Sequence, residues 1–177
     1  MVETLSVTEV AALTGLDEAR VRKEVEHGLF AAPRFSFVDA VYFRMLVELD
    51  FKLGVEDRRR LHSLLVKAVT AHRRVVEFSP ILTMSFDALL DEVRTTLDRF
   101  EAWKKKLVSD PGILGGESVF PQSRLGVRHV GTMVLRGATA EEIREDYSYL
   151  DEDDVRFAKL YAIAYPRVGR PRETPAR

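Results

Sequence analysis

Cationic side chains gather near the start of the chain: Arg20, Arg22, Lys23 and His27 fall within one short amphipathic stretch, and Arg34 follows soon after. Arginine carries a fixed charge on a planar fork of donors, and lysine carries a compact one. A helix presenting such groups to the DNA major groove neutralises phosphates and reaches base edges. These five residues are the candidate DNA-binding set. Asp17 and Glu18 sit beside them, so the plain alternative is a solvated helix face held by intrahelical pairs such as Glu18–Arg22. A second basic run, Arg58-Arg59-Arg60, reads as an auxiliary phosphate contact or as another solvated face. At the far end, Pro166–Arg177 carries Arg167, Arg170 and Arg172 among prolines that keep a chain extended. Arginine on an extended strand pairs bidentately with carboxylates.

Other chemistries find little support. His27, His62, His72 and His129 are scattered, with no carboxylate or second histidine at metal-ligand spacing, and the chain has no cysteine. Gly112, Gly115 and Gly116 make neither a phosphate loop nor a dinucleotide fingerprint. No catalytic residue, metal or cofactor is expected. With 28 acidic against 27 basic residues the net charge is −1, so any contact with nucleic acid must come from a local patch. The hydrophobic fraction of 46% is enough to fill real cores across 177 residues, which excludes a disordered protein. No leader-like start and no long apolar run is present, and cysteine is absent. These features point to a soluble cytoplasmic protein with no membrane partner.

The elements that must hold the cationic set are short helices. Ser6-Val7-Thr8-Glu9 forms a capping box, and Thr14-Gly15 ends the helix that follows. Asp17 caps a second helix over Glu18–His27, closed by Gly28, which gives a first helix-turn-helix outline. Leu29-Phe30 and Phe35-Ser36-Phe37, flanking residues 31–34, suit a tight wing-like connection. Helices then read from about Val38 to Leu53 and Val55 to His72. Short β-like runs follow around Ser79-Pro80, and the longest helix spans Asp87 to Leu107. After a turn-rich stretch at Asp110–Gly116, three short amphipathic segments follow: Gly126–Leu135, a helix capped by Thr139 with Glu142, and one opening at Asp151. This is a second helix-turn-helix outline. Its last helix starts Asp151-Glu152-Asp153-Asp154, and four carboxylates there oppose approach to phosphate, so this unit reads as a packing or self-association module.

Two resemblances attach to these segments. SVTEVAALTGLDEARVRKEVEHGLF, followed by FSFVDAVYFRMLVEL, resembles the DNA-binding domain of MerR-like regulators. DPGILGGESVF, LGV and LRGATAEEIREDYSYLDEDDVRFAKLYA resemble the bacterial domain family of unknown function numbered 433, many members of which look like VapB-type antitoxins. The chain departs from that family at Pro121-Gln122-Ser123-Arg124, where relatives have Arg-Gly-Thr-Arg. The expected architecture is mainly α: a MerR-like winged helix-turn-helix (1–54), a helical and short-strand connection (55–108), a homeodomain-like C-terminal helix-turn-helix (109–165) and a disordered Arg/Pro-rich tail (166–177). The second resemblance implies an antitoxin of a type II toxin–antitoxin pair. Its partner would be a PIN-domain ribonuclease of the VapC type, whose acidic metal-holding site Arg167, Arg170 and Arg172 would meet. Operator DNA would be read as a homodimer, since such operators are palindromic. The other reading is a stand-alone MerR-like transcription regulator whose C-terminal half senses a ligand or dimerises.

Overall fold

Local capping sets most of the helix starts. In the computed structural model, which describes residues 4–30, 33–49 and 51–166, the Ser6 side chain and Glu9 cap one another to open α1 (Val7–Thr14), and Gly15 ends it with a left-handed φ of 75°. The Asp17 carboxylate accepts from the backbone N–H of Ala19 and Arg20 to open α2 (Glu18–Glu26). Ser36 and Asp39 form a further capping box at α3 (Phe37–Glu48). After α4 (Val55–Thr70) the chain makes an antiparallel hairpin, β1 (Val75–Ser79) with β2 (Leu82–Ser85), and then α5 (Asp87–Lys104). A 3-10 turn at Leu114–Gly116 precedes α6 (Val127–Leu135), α7 (Ala140–Asp146, capped by Thr139 and Glu142) and α8 (Glu152–Ala164, capped by Asp151 and Asp154).

Three expectations change. The helix expected to reach Leu53 stops at Glu48, because Leu49 turns to an extended conformation and Leu49 and Leu53 both pack against the core. The helix expected to reach Leu107 stops at Lys104, and Val108 then bridges Val119 instead. The wing-like pairing across residues 29–37 is replaced. Phe35 exchanges both backbone hydrogen bonds with Leu5, at 2.8 and 2.9 Å. Phe30 turns inward, its ring 5.2 Å from those of Phe35 and Phe43, where burial outweighs what a short exposed ladder would give. Among the described residues the two-stranded sheet is β1–β2.

Two apolar clusters organise the molecule. The first joins α1–α4, the hairpin and the first half of α5, from Leu5 through Tyr42 and Leu65 to Leu97. The second joins the end of α5 to α6–α8, from Phe100 and Trp103 through Val130 to Ala158. The stretch 55–108, expected to connect two units, therefore supplies core to both. Leu13 of α1 touches both clusters, and Thr8 Oγ1 donates to the carbonyl of Ala164 at 2.7 Å, so α1 lies against α8. Among the described residues, α6 and α8 pack against each other most extensively. A Cβ on Gly131 would sit 2.1 Å from the Ala158 carbonyl oxygen, so only glycine allows the two backbones to meet there.

Candidate nucleic-acid interface

The α2 helix turns Val21 and Glu24 inward and leaves Arg20, Lys23 and His27 exposed. Spacings of three and four residues put these side chains on one side of the helix. Arg20, Lys23, Glu24 and His27 line a shallow depression of about 360 Å3, closed on the far side by Arg58 from α4. Its floor is polar and satisfied. Glu24, only 2% exposed, accepts from the Tyr42 hydroxyl at 3.0 Å and from Arg58 Nε at 2.9 Å. Burial pushes the Tyr42 hydroxyl far above the ordinary tyrosine range, and the adjacent Glu24 carboxylate pushes it the same way. Tyr42 therefore stays a neutral donor. Arg58 also donates to the Leu53 carbonyl at 2.6 Å, just before α4, so its pair with Glu24 ties the start of α4 to α2.

The consequence for charge is direct. The one buried carboxylate of α2 is occupied by Arg58 and Tyr42, and neither Arg20 nor Lys23 has an ion pair among the described residues. Their charge is free to meet an anion. Of the five expected DNA contacts, the structure brings Arg20, Lys23 and His27 together. Arg22 lies elsewhere on the helix and pairs with Glu18, its Nε 2.9 Å from the carboxylate, as the plain alternative held. Arg34 is exposed in the segment leading to Phe35 and is not part of the depression.

The Arg58-Arg59-Arg60 run is mostly structural. Arg58 is taken up by Glu24, whereas Arg59 pairs with Glu56 at 2.8 Å and donates to the His27 carbonyl, and Arg60 lies over the Phe78 ring at 5.3 Å. Sequence reasoning missed Glu24 and Tyr42. The available signal was an acidic residue at position 24, on the same side of α2 as the apolar Val21 and Val25.

The C-terminal unit has the opposite character. Asp151 and Asp154 cap each other's backbone, Asp154 also accepts from Trp103 Nε1 at 2.8 Å, and Asp153 pairs with Arg99. Asp153 and Asp154 thereby hold α8 onto α5. At the other end of α8, the Tyr165 hydroxyl donates to Glu9 at 2.6 Å and Lys104 Nζ lies 2.9 Å from the same oxygen. Burial, with the Glu9 carboxylate beside it, pushes the Tyr165 hydroxyl up to about 12. Burial alone would raise Glu9, but hydrogen bonds from Tyr165 and Ser6 outweigh it and hold that carboxyl below its ordinary range. The expected partner contacts Arg167, Arg170 and Arg172 lie outside the described residues.

Comparison with known proteins bears on the second cluster. Residues 107–162 match the family described as protein of unknown function DUF433. The match runs from just after α5 into α8 and so covers the turn-rich loop, α6 and α7. A curated relative, the uncharacterized protein y4eO of Sinorhizobium fredii (strain NBRC 101917 / NGR234), is 33% identical over 91 residues, which is 51% of this chain and 41% of the relative. The chain thus spans less than half of that relative. No solved structure matches. Among the described residues no helix is long and apolar enough to cross a membrane, and no group of three or more His, Asp or Glu side chains could hold a metal ion.

Proposed function

We propose that this protein is a DNA-binding antitoxin of a type II toxin–antitoxin pair. It would bind operator DNA through the α2 face and neutralise a PIN-domain ribonuclease through its DUF433 segment and the arginine-bearing tail. The observation that carries the DNA half is the set of unpaired cations on α2. Arg20 and Lys23 make no ion pair among the described residues beside His27, and the buried Glu24 below them is taken up by Tyr42 and Arg58, although Asp17 also lines the depression. A surface so arranged attracts phosphate without first breaking an internal pair. The α1–turn–α2 pair then acts as the helix-turn-helix of a MerR-like reader, and a homodimer supplies two such helices for a palindromic site.

The antitoxin half rests on the resemblance of the C-terminal segment to VapB-type antitoxins. Tyr165 is tied to Glu9 and Lys104, so a partner that pulls on Arg167, Arg170 and Arg172 pulls on a fixed point next to α1. Arg167, Arg170 and Arg172 would pair with the acidic, metal-holding site of such a ribonuclease and compensate its charge.

The test is co-purification from the native host with the full chain and with a chain ending at Tyr165. Recovery of a PIN-like ribonuclease by the full chain, silent in that complex and active or lost with the shortened chain, is the expected result. Recovery of no ribonuclease by either chain removes the antitoxin half and leaves a stand-alone MerR-like regulator. A specific feature favours that second reading: a hollow of about 440 Å3 between α5 and the start of α8, lined by Trp103, Phe120 and Tyr149, would be the place for a sensed ligand.

A further inference from the structure

The hairpin β1–β2 occupies a place that the α2 face gives meaning to. Val75 and Val76 lie beside Leu64 and Ala68 towards the end of α4, whereas Phe78 lies under the Arg60 guanidinium near its start. The strand therefore runs back along α4, and its tip, Ser79-Pro80-Ile81-Leu82, is carried towards the N-terminal turn of that helix. That same turn is clamped to α2 through Arg58 on Glu24 and Arg59 on the His27 carbonyl. Hairpin tip and cationic α2 face thus flank one short stretch of α4.

The tip is an unusual surface. Ile81 is 96% exposed, the most exposed large apolar side chain among the described residues, and Pro80 stands next to it. Water is a poor neighbour for an isoleucine, and its burial against a partner is favourable. Isoleucine and proline are also among the side chains that enter the minor groove as wedges between base steps and kink the duplex. The charge around the tip is mixed: the first turn of α4 carries Glu56 and Asp57 and β1 carries Glu77, and the cation placed to meet a phosphate is Arg60. Arg60 has no ion pair among the described residues and stands at the base of the tip.

We infer that the β1–β2 hairpin is a second DNA-contacting element, with Ile81 as a minor-groove wedge beside the groove occupied by α2 and Arg60 as a phosphate contact between them. The wing of this reader is then the hairpin after α4, not the segment between α2 and α3. This inference rests on the DNA-binding half of the function proposed above and adds to it where the duplex is bent.

The experiment uses the full chain and a duplex pool that it recovers itself from a random-sequence library. Affinity is read by anisotropy, and bending by energy transfer between dyes on the duplex ends. Ile81→Ser is expected to bind about tenfold more weakly and to lose the bend, because unstacking a base step needs the apolar wedge. Ile81→Met, which keeps a wedge, retains both. At 96% exposure neither change touches the core, and unchanged circular dichroism melts confirm it. If Ile81→Ser binds and bends the duplex as the parent does, the wedge is overturned while the DNA-binding reading stands. If the parent chain enriches no duplex at all, the DNA-binding reading fails and the wedge fails with it.

Discussion

The starts of α2 and α8 are built from the same local grammar and end with opposite surfaces. Each is a short helix capped by an aspartate, Asp17 or Asp151, and preceded by another short helix and a tight turn. In α2 the inward carboxylate is taken by Tyr42 and Arg58, and two of the outward cations, Arg20 and Lys23, have no ion pair among the described residues, whereas Arg22 pairs with Glu18. In α8 the carboxylates are spent on α5, Asp153 with Arg99 and Asp154 with Trp103. What a helix start offers a ligand is therefore decided by which of its charges the neighbouring helix consumes. By that criterion the proposed DNA contact belongs on α2, and α8 is a packing element.

The largest effect belongs to the packing side. Gly131→Ala would force α6 off α8, since the added carbon meets backbone at Ala158 that has no rotamer to give. A loss of about 3 kcal/mol is expected, at the upper end of overpacking costs. Urea unfolding followed through Trp103, the chain's single tryptophan and a member of the second cluster, measures it. An unchanged midpoint would mean that α6 and α8 do not meet this closely. On the reading side, Glu24→Ala removes the acceptor shared by Tyr42 and Arg58 and leaves the guanidinium, 16% exposed, without its carboxylate. The expected cost is about 3 kcal/mol, as for other pairs broken on one side. DNA affinity should fall as well, because α4 no longer holds α2 in place. Glu24→Gln, which can still accept from Tyr42, should lose less of both.

The difference between the two regions was only half legible in the sequence. Capping is written within four residues, so Ser6 with Glu9, Asp17, and Thr139 with Glu142 announced their helices. The Ser36–Asp39 box went unread because aspartate replaces the usual glutamate, and the helix start was placed one residue late. The charge outcome is a tertiary property. Glu24 finds Tyr42 at a separation of 18 residues and Arg58 at 34, and Trp103 finds Asp154 at 51. No periodicity carries such pairings. The same limit explains Phe35, whose extended run looked ready for a local wing but pairs with Leu5 across the whole of α1 and α2. Of the candidate contacts, the cations were visible by type. Which of them stand free was not.

Acid should separate the regions more gently. Burial by itself would raise the Asp39 carboxyl, but the hydrogen bond with His62 at 2.6 Å and those from the Ser36 backbone and hydroxyl outweigh it, and Asp39 lies below its ordinary range. A carboxyl lowered by folding adds stability that is complete above the ordinary value, about 3.9 for aspartate, and is lost as the pH falls through the lowered one. Glu9 behaves alike at the α1–α8 contact. Thermal melts should therefore be nearly flat from neutrality down to that value and should fall below it. Asp39→Asn should flatten the acid limb while lowering stability at neutral pH. A parent chain whose melting point did not fall in acid would contradict the hydrogen-bonded Asp39.

The smallest effect has the opposite sign and sits in the DUF433 segment. Gln122 holds a φ of 56° in the turn after Phe120, where Ser123 N–H donates back to the Phe120 carbonyl at 3.3 Å. Pro121 suits the first central position of such a turn, but the second wants a residue at ease with positive φ. This chain carries there a side chain that crowds its own backbone, at roughly 1 kcal/mol. Gln122→Gly relieves that crowding and gives back part of the gain through a freer unfolded chain. A net stabilisation of up to about 1 kcal/mol is expected in the Trp103-monitored transition, with α2 binding to DNA unchanged. Gln122 also lines the hollow beside Trp103 and Tyr149, so the same variant separates two reasons for keeping a glutamine in a strained turn. If stability rises and recovery of the ribonuclease partner is unaffected, the side chain serves neither fold nor partner. If stability rises and partner recovery drops, the strain is maintained for a contact that the amide makes, and the packing side of the molecule is also its docking side.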